Sequence, residues 1–179
     1  AKLELSTSDP SENNLADRFR MGEKALQEKR KEEALDHFNL YLTYRPESVI
    51  AYIRRGTAND LLGRSEPALR DLNKAIALAP RSAEAYARRG DVYYASGKYE
   101  ESVKDYNTAV GIESGNDAHY FGRGRVHLFY DRHEEALKDF TRALQLKPGN
   151  AEYHRYRANT FTKLGRSVDA RRDLDKAIA

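Results

Sequence analysis

Cysteine is absent from this chain of 179 residues. Its absence excludes disulfide bonds and metal sites built on thiolates. Because no thiol reports the redox environment, the compartment stays undetermined; a cytoplasmic protein is the default expectation, with a lumenal or periplasmic one left open. The sequence also lacks an apolar run approaching the roughly 18 residues of a membrane-spanning helix, so we expect no insertion into a membrane.

Blocks of like charge are also missing. The chain has 31 Lys and Arg against 28 Asp and Glu, a net charge of +3, and residues of the two signs are interspersed. Proteins that bind nucleic acid usually concentrate their basic residues in one patch or stripe. The distribution of charge therefore argues against a nucleic-acid partner and is typical of helices with long solvated faces.

Sequence signatures of catalysis are lacking too. No glycine-rich phosphate loop is present, because Gly122 and Gly124 fall inside an expected helix with no strand before it. No serine or histidine stands in the setting of an activated nucleophile, and the five histidines match no zinc-binding spacing. We therefore expect no enzymatic activity, no catalytic residue, no cofactor and no metal site.

What the sequence does contain is a repeat with a period of 34 residues. Glycine recurs at this period, small residues recur at a second position and large residues at a third. The three ladders are Gly22, Gly56, Gly90 and Gly124; Ala34, Ala68, Ser102, Ala136 and Ala170; and Phe38, Leu72, Tyr106, Phe140 and Leu174. A fixed period of this length predicts a stack of similar units, each burying its apolar face against its neighbours.

The glycine ladder also sets the boundaries that we expect for the units. With glycine as position 8, the small residues fall at position 20 and the large ones at position 24. The units are then 15–48, 49–82, 83–116, 117–150 and 151–179, after an N-terminal extension of residues 1–14. Asp9 and Pro10 have the pattern of a helix start, so we expect the first helix to begin near Pro10.

The unit resembles the tetratricopeptide repeat, whose signature is matched over residues 15–179. Position 4 carries tyrosine in three units, position 27 carries alanine in four, and position 32 carries proline in three. The matching residues are Tyr52, Tyr86 and Tyr120; Ala75, Ala109, Ala143 and Ala177; and Pro46, Pro80 and Pro148. The resemblance implies an all-α fold: an α-solenoid of tandem helix–turn–helix units that forms a right-handed superhelix.

Short polar residues mark the expected helix starts. Ser82, Asn116 and Asn150 stand where the first helix of a unit, helix A, should begin, and they are good N-cap residues. We expect the second helix, helix B, to be capped in the same way; the residues expected to do so are Ser65, Asp131 and Ser167. Asp131 and Glu134 also have the spacing of a capping box, which would explain why this turn lacks the glycine found in other units.

Arginine at position 7 and aspartate at position 23 occur together. Units two to five have both residues, and the first unit has neither, since Met21 and His37 stand there. We infer an ion pair between helices A and B of the same unit, in which a guanidinium meets a carboxylate. The expected pairs are Arg55–Asp71, Arg89–Asp105, Arg123–Asp139 and Arg157–Asp173.

The family resemblance also implies a concave groove that binds peptides and is lined mainly by positions 2, 5, 6, 9, 12 and 13 of helix A. Position 6 carries arginine in three units, either as solvated side chains or as a row of cations for an acidic segment. The candidate groove residues are Phe19, Arg20, Glu23, Ile50, Ile53, Arg54, Thr57, Glu84, Arg88, Asp91, Tyr94, Phe121, Arg125, Arg155 and Asn159.

The function implied by the resemblance is protein–protein interaction, as a scaffold or adaptor, or in the manner of a co-chaperone, with a partner peptide in the groove. The family's clamp for the acidic tails of chaperones needs a set of five lysine, asparagine and arginine residues. Only Arg88 of the first three units matches that set, so we expect a different ligand. Two alternatives remain: a self-assembling structural unit that uses exposed terminal helices, giving a homo-oligomer, and the non-catalytic repeat region of a larger protein.

Overall fold

The computed structural model describes residues 12–178, and α-helices are the only regular elements within that range. Odd-numbered helices are called helices A below, and even-numbered helices are called helices B. The helices are α1 (Glu12–Gln27), α2 (Lys31–Tyr44), α3 (Val49–Leu61), α4 (Ser65–Leu78), α5 (Ala83–Ala95), α6 (Tyr99–Ile112), α7 (Asp117–Phe129), α8 (His133–Leu146), α9 (Ala151–Lys163) and α10 (Ser167–Ile178).

The helices form hairpins, in which each helix A packs against the helix B that follows it. This all-α arrangement of successive helical hairpins confirms the expected fold class. The chain divides into two compact units, residues 1–80 and 81–179, called the N-terminal unit and the C-terminal unit. Within the described range, α1 begins at Glu12; the helix start expected near Pro10 lies outside the described residues. None of the described helices is both long enough and apolar enough to span a bilayer.

The glycines of the 34-residue ladder allow the two helices of a hairpin to approach closely. A Cβ atom added at Gly124 would lie 2.7 Å from the Phe140 ring, and one added at Gly22 would lie 2.8 Å from the Phe38 ring. Both phenylalanines are fully buried at position 24. The small residue at position 8 therefore leaves the space that the large residue at position 24 occupies, as close packing of the hairpin requires.

The turn inside each hairpin depends on one residue in the left-handed region. Gly63, Gly97 and Gly165 have a φ of 73°, while Lys29 and Asp131 occupy the same place in their units with φ of 61° and 58°. The backbone N–H two residues after the C-cap residue then bonds back five residues, as in a Schellman motif. In the turn after α7 the Arg132 N–H donates to the His127 carbonyl oxygen at 2.8 Å.

This turn corrects the expected caps of helices B. Asp131 is the left-handed residue of the turn and forms no capping box, because α8 begins at His133 and the N-cap position belongs to Arg132. Ser65 and Ser167 are likewise the first residues of α4 and α10 and do not precede them. The reason is that the Schellman turn of the preceding helix fixes the backbone immediately before each helix B.

The expected caps of helices A are confirmed. The Ser82 hydroxyl accepts a hydrogen bond from the Ala85 N–H at 3.3 Å. Asn116 accepts from the Ala118 N–H at 3.1 Å, and Asn150 accepts from the N–H of Glu152 at 3.0 Å. These side chains satisfy backbone donors that have no partner inside the helix, so they fix where α5, α7 and α9 begin.

All four expected pairs between position 7 and position 23 are present, which confirms that inference. In each pair the arginine donates two hydrogen bonds to the two carboxylate oxygens, at distances from 2.6 to 2.9 Å, and joins helix A to helix B. The pairs are Arg55–Asp71, Arg89–Asp105, Arg123–Asp139 and Arg157–Asp173. The carboxylates are buried, between 2% and 6% exposed.

The position 7 arginines also make two kinds of contact that were not predicted from the sequence, one with an asparagine side chain and one with a tyrosine ring. The third guanidinium nitrogen of Arg123, Nη1, donates to Asn107 of the preceding repeat at 2.7 Å, and Nη1 of Arg55 donates to Asn39 in the same way at 2.9 Å. The guanidinium of Arg123 also lies 5.7 Å from the centroid of the Tyr120 ring. Arg55 and Arg123 therefore each connect a repeat to the one before it, and Arg123 also orders the tyrosine at position 4 of its own repeat.

Candidate helix A binding surfaces

The N-terminal unit presents seven of the candidate residues, on α1 and α3. Phe19 is half-buried, with its ring 5.6 Å from Phe38 and 5.2 Å from Tyr41. Ile53 is only 2% exposed, so it belongs to the core and offers a partner no surface, contrary to the expectation that it lines a groove. Ile53 is buried because the apolar stripe by which a helix A packs against helix B is broad enough to include position 5. Ile50, at 36% exposed, is the remaining apolar candidate here.

The position 6 arginines of the N-terminal unit already have carboxylate partners. Arg54 donates to Glu23 at 3.2 Å, in a pair that links α3 to α1. Arg20 pairs with Asp17 one turn earlier in α1. Thr57 donates its hydroxyl to the Ile53 carbonyl of its own helix at 2.9 Å. On this unit, therefore, the position 6 arginines are compensated within the chain and do not form a row of uncompensated cations.

The surface of the C-terminal unit differs from that of the N-terminal unit, because its helices A carry two pairs of aromatic rings with an arginine between them. Helix α7 contacts both α5 and α9. The Phe129 ring lies 5.3 Å from the Tyr94 ring of α5, and the Phe121 ring lies 5.0 Å from the Tyr156 ring of α9. Between these two pairs lies Arg125, whose guanidinium carbon is 5.7 Å from the Tyr94 ring and 5.9 Å from the Phe121 ring. These five side chains are called the aromatic row.

Phe129 is the most exposed aromatic side chain of the row, at 65%. Sequence analysis missed it, although it stands at position 13 of its unit, one of the positions that the family resemblance assigns to the groove. Tyr156, at position 6, falls on the expected groove surface but was not among the candidate site residues. The signal was available: Phe129 and Tyr156 are the aromatic residues at positions where the other units have none.

A buried tyrosine explains why the position 6 arginines stop after Arg88. The Tyr106 hydroxyl donates to the Asp91 carboxylate at 2.6 Å, and a Cβ atom at Gly122 would overlap the same ring. Burial, together with the charge of Asp91, raises the pKa of Tyr106 well above its ordinary value. Glycine at position 6 of the fourth repeat therefore leaves the space that the Tyr106 ring occupies. The Asp91 carboxylate, which is also 3.6 Å from Arg88, is largely occupied within the chain.

Among the candidate residues of this surface, Arg125 and Arg155 are the cations that remain uncompensated. Within residues 12–178 neither of them forms an ion pair. Arg155 and Asn159 are exposed on α9, whereas Arg125 is half-buried between its two rings. Glu84 lies half-buried in the first turn of α5. The surface thus combines one exposed and three half-buried aromatic rings, available guanidinium donors and scattered carboxylates, an arrangement suited to binding a polypeptide.

Two histidines of the C-terminal unit, His127 and His154, have structural partners. Tyr99 shares a hydrogen bond of 2.9 Å with Nδ1 of His127, and burial lowers the pKa of that histidine. His154 lies 3.1 Å from the Asp173 carboxylate and 2.9 Å from the Pro148 carbonyl oxygen. Over the described part of the chain, no three His, Asp or Glu side chains converge to hold a metal ion.

Comparisons with known proteins agree with this architecture. A family model described as TPR repeat matches residues 90–128, and two models described as tetratricopeptide repeat match residues 49–82 and 121–179. No curated protein sequence matches the chain.

Solved structures are similar over a longer part of the chain than the family models are. A thermophilic TPR protein of Thermus thermophilus is similar with a TM-score of 0.81 and 21% identity, over 92% of this chain and 90% of that one. MamA from Desulfovibrio magneticus is similar with a TM-score of 0.77 and 17% identity, over 94% of this chain and 96% of that one. At such identities the likeness establishes the fold alone.

Proposed function

We propose that this chain, which belongs to the tetratricopeptide repeat family, is a scaffold or adaptor that holds a segment of a partner protein on its helix A surfaces. Protein–protein interaction is the general role that the repeats support, and proteins of the family are typically non-catalytic. The aromatic row of the C-terminal unit is the surface that we assign to the partner.

The exposure of Phe129 carries this proposal. An aromatic ring that is 65% exposed gains nothing for the fold from most of its area, whereas it can bury that area against a partner. The ring adjoins Tyr94 and is continuous through Arg125 with Phe121 and Tyr156, so a bound segment would contact a strip and not a single residue. Arg155 and Asn159 supply exposed polar groups on α9 beside it.

The proposal can be tested by selecting peptides from a random display library on the immobilised chain and measuring their affinities. We expect Phe129→Ala to lower the affinity for the selected peptides roughly tenfold, which corresponds to the loss of about 1.4 kcal/mol of binding free energy. Val168→Ala is the matched control, because Val168 is 75% exposed on α10, away from the aromatic row. Equal affinities for the wild type and Phe129→Ala would contradict the proposal.

Self-assembly through α10 is a second candidate function, and one observation favours it. Three apolar side chains of this helix are exposed: Val168 at 75%, Leu174 at 46% and Ile178 at 86%. Exposed apolar groups on one helix are a possible site of association between copies. Light scattering across micromolar concentrations tests this: a mass that rises with concentration, and falls again in Val168→Ser, supports assembly, while a constant monomer mass rejects it.

A further inference from the structure

We propose that the aromatic row selects a partner segment with an acidic side chain between two apolar ones, the acid binding Arg125. This inference rests on the proposed function and adds the chemistry of the partner. It commits to a polypeptide ligand on the C-terminal unit, with the carboxylate over Arg125 and the apolar side chains over the rings that flank it.

Arg125 is held in place but has unused hydrogen-bond donors. Tyr94 and Phe121 lie on two sides of its guanidinium, at 5.7 and 5.9 Å, and such contacts with ring faces engage the charge without consuming the N–H groups. It forms no ion pair within residues 12–178. A guanidinium whose side chain is already ordered loses less conformational entropy when a carboxylate binds in the bidentate geometry that arginine favours.

The arginines at positions 5, 6 and 7 of the helices A are in a different state, because each of them is either paired or exposed. Those at position 7 donate two hydrogen bonds each to aspartates of their own units. Arg54 is paired with Glu23, and Arg88 lies 3.6 Å from Asp91. Within residues 12–178 Arg155 forms no ion pair, but it is exposed, so it can attract an acid without fixing its position. Among the helix A arginines at positions 5 to 9 of the described repeats, Arg125 is the one that is held between two rings and forms no ion pair.

The rings beside Arg125 specify what flanks the acid. Along the surface, Phe129 and Tyr94 lie on one side of the guanidinium, and Phe121 with Tyr156 lies on the other. Apolar or aromatic side chains of a bound segment would cover these rings and exclude water from the ion pair, which strengthens it.

Carboxylates on the same helices favour a peptide over a nucleic acid. Glu84 and Asp91 lie on α5, and Glu152 lies in the first turn of α9. A phosphodiester backbone carries a charge at every nucleotide and would be repelled by these groups, whereas a segment with one central acid would not. Binding of a short oligothymidylate is therefore included in the test as the competing outcome.

The experiment begins with peptides selected from the random display library on the wild-type chain, followed by synthesis of the consensus and its Glu-to-Gln or Asp-to-Asn analogue. Each peptide is titrated against the wild type, Arg125→Gln and Lys138→Gln. Lys138→Gln removes the same charge from the exposed face of α8 and serves as the control for net charge. Circular dichroism verifies that the variants remain folded.

We expect the consensus to contain an acid flanked by apolar residues. Neutralising that acid, or replacing Arg125 by Gln, should each weaken binding roughly tenfold, and the two changes together should weaken it little further, because each removes the same charged hydrogen bonds. Lys138→Gln should bind as the wild type does.

Each other outcome overturns the inference in a distinguishable way. A consensus without an acid, or an acid preference that persists in Arg125→Gln, overturns the inference alone and leaves the proposed function standing. Oligothymidylate that displaces the peptide from the wild type but not from Arg125→Gln would assign the site to nucleic acid. A library that yields no binding peptide would overturn the proposed function, and the inference with it.

Discussion

Removing Arg123 and removing Asp139 from their ion pair should lower the free energy of unfolding by different amounts. Arg123 donates from Nε and Nη2 to the two carboxylate oxygens at 2.8 and 2.6 Å, and these hydrogen bonds raise its pKa. The side chain of Asp139 is 6% exposed, whereas that of Arg123 is 20% exposed. We expect Arg123→Met to destabilise the chain more than Asp139→Asn.

The magnitudes follow from what each substitution leaves behind. Arg123→Met leaves a buried carboxylate with the His127 Nε2 atom 3.8 Å away, and uncompensated buried charges of this kind cost about 3–5 kcal/mol. After Asp139→Asn, the guanidinium keeps its hydrogen bond to Asn107 and its contact with Tyr120, so the loss is close to that of one charged hydrogen bond, about 1.5–3 kcal/mol.

Urea unfolding followed by far-ultraviolet circular dichroism measures these free energies, with the double variant completing the cycle. The double variant should cost less than the sum of the single ones by more than about 1 kcal/mol. The exposed pair Arg64–Glu32, 2.8 Å apart, is the control, and Arg64→Met should cost less than about 1 kcal/mol. Additive effects at Arg123 and Asp139, or a loss at Arg123 no greater than that at Arg64, would refute the reasoning.

Three further predictions use the same unfolding assay. Gly122→Ala should destabilise by about 1–3 kcal/mol, because its Cβ atom overlaps the Tyr106 ring, and an unchanged midpoint would show that the ring can move aside. Asp131→Gly should stabilise by about 0.5–1 kcal/mol, because glycine adopts a φ of 58° without strain; destabilisation would mean that the aspartate side chain contributes to the fold. Burial raises the pKa of Asp173, but hydrogen bonds from Arg157 and His154 outweigh it and lower that pKa. The stability that this lowered pKa contributes is present above the pKa of the unfolded chain, about 4, and is lost as the pH falls through the lower pKa of the folded chain. The difference in unfolding midpoint between the wild type and Asp173→Asn should therefore shrink in acid. A difference that does not depend on pH would contradict this.

The periodicity of the sequence was sufficient to predict the helical hairpins, because the same pattern of small and large residues recurs in five repeats and each recurrence supports the others. The joint occurrence of Arg55 with Asp71, repeated in three more units, identified a tertiary contact from the sequence alone. The N-caps at Ser82, Asn116 and Asn150 were predictable for a local reason: a side-chain oxygen needs only the next few backbone N–H groups.

The sequence was insufficient where a side chain chooses between two local conformations or two packing partners. Asp131 is a good N-cap residue and also tolerates the left-handed region, and the Schellman turn of α7 decides between them. Tyr106 fills the expected position 24, but its hydroxyl reaches Asp91 and thereby fixes Gly122. Ile53 and Phe129 are both apolar residues on helix A; their burial, 2% and 65% exposed, depends on how far the adjacent helices cover them.

The most direct test of the account is to find which face of the chain a bound partner touches. A photoreactive benzoylphenylalanine in place of Phe129, on α7, would be compared with the same residue in place of the exposed Lys104 on α6, using a peptide selected on the wild type. The account predicts that the peptide becomes crosslinked from position 129 and not from position 104. Crosslinking from position 104 alone would place the partner on a helix B and contradict the assignment of the aromatic row as the binding surface.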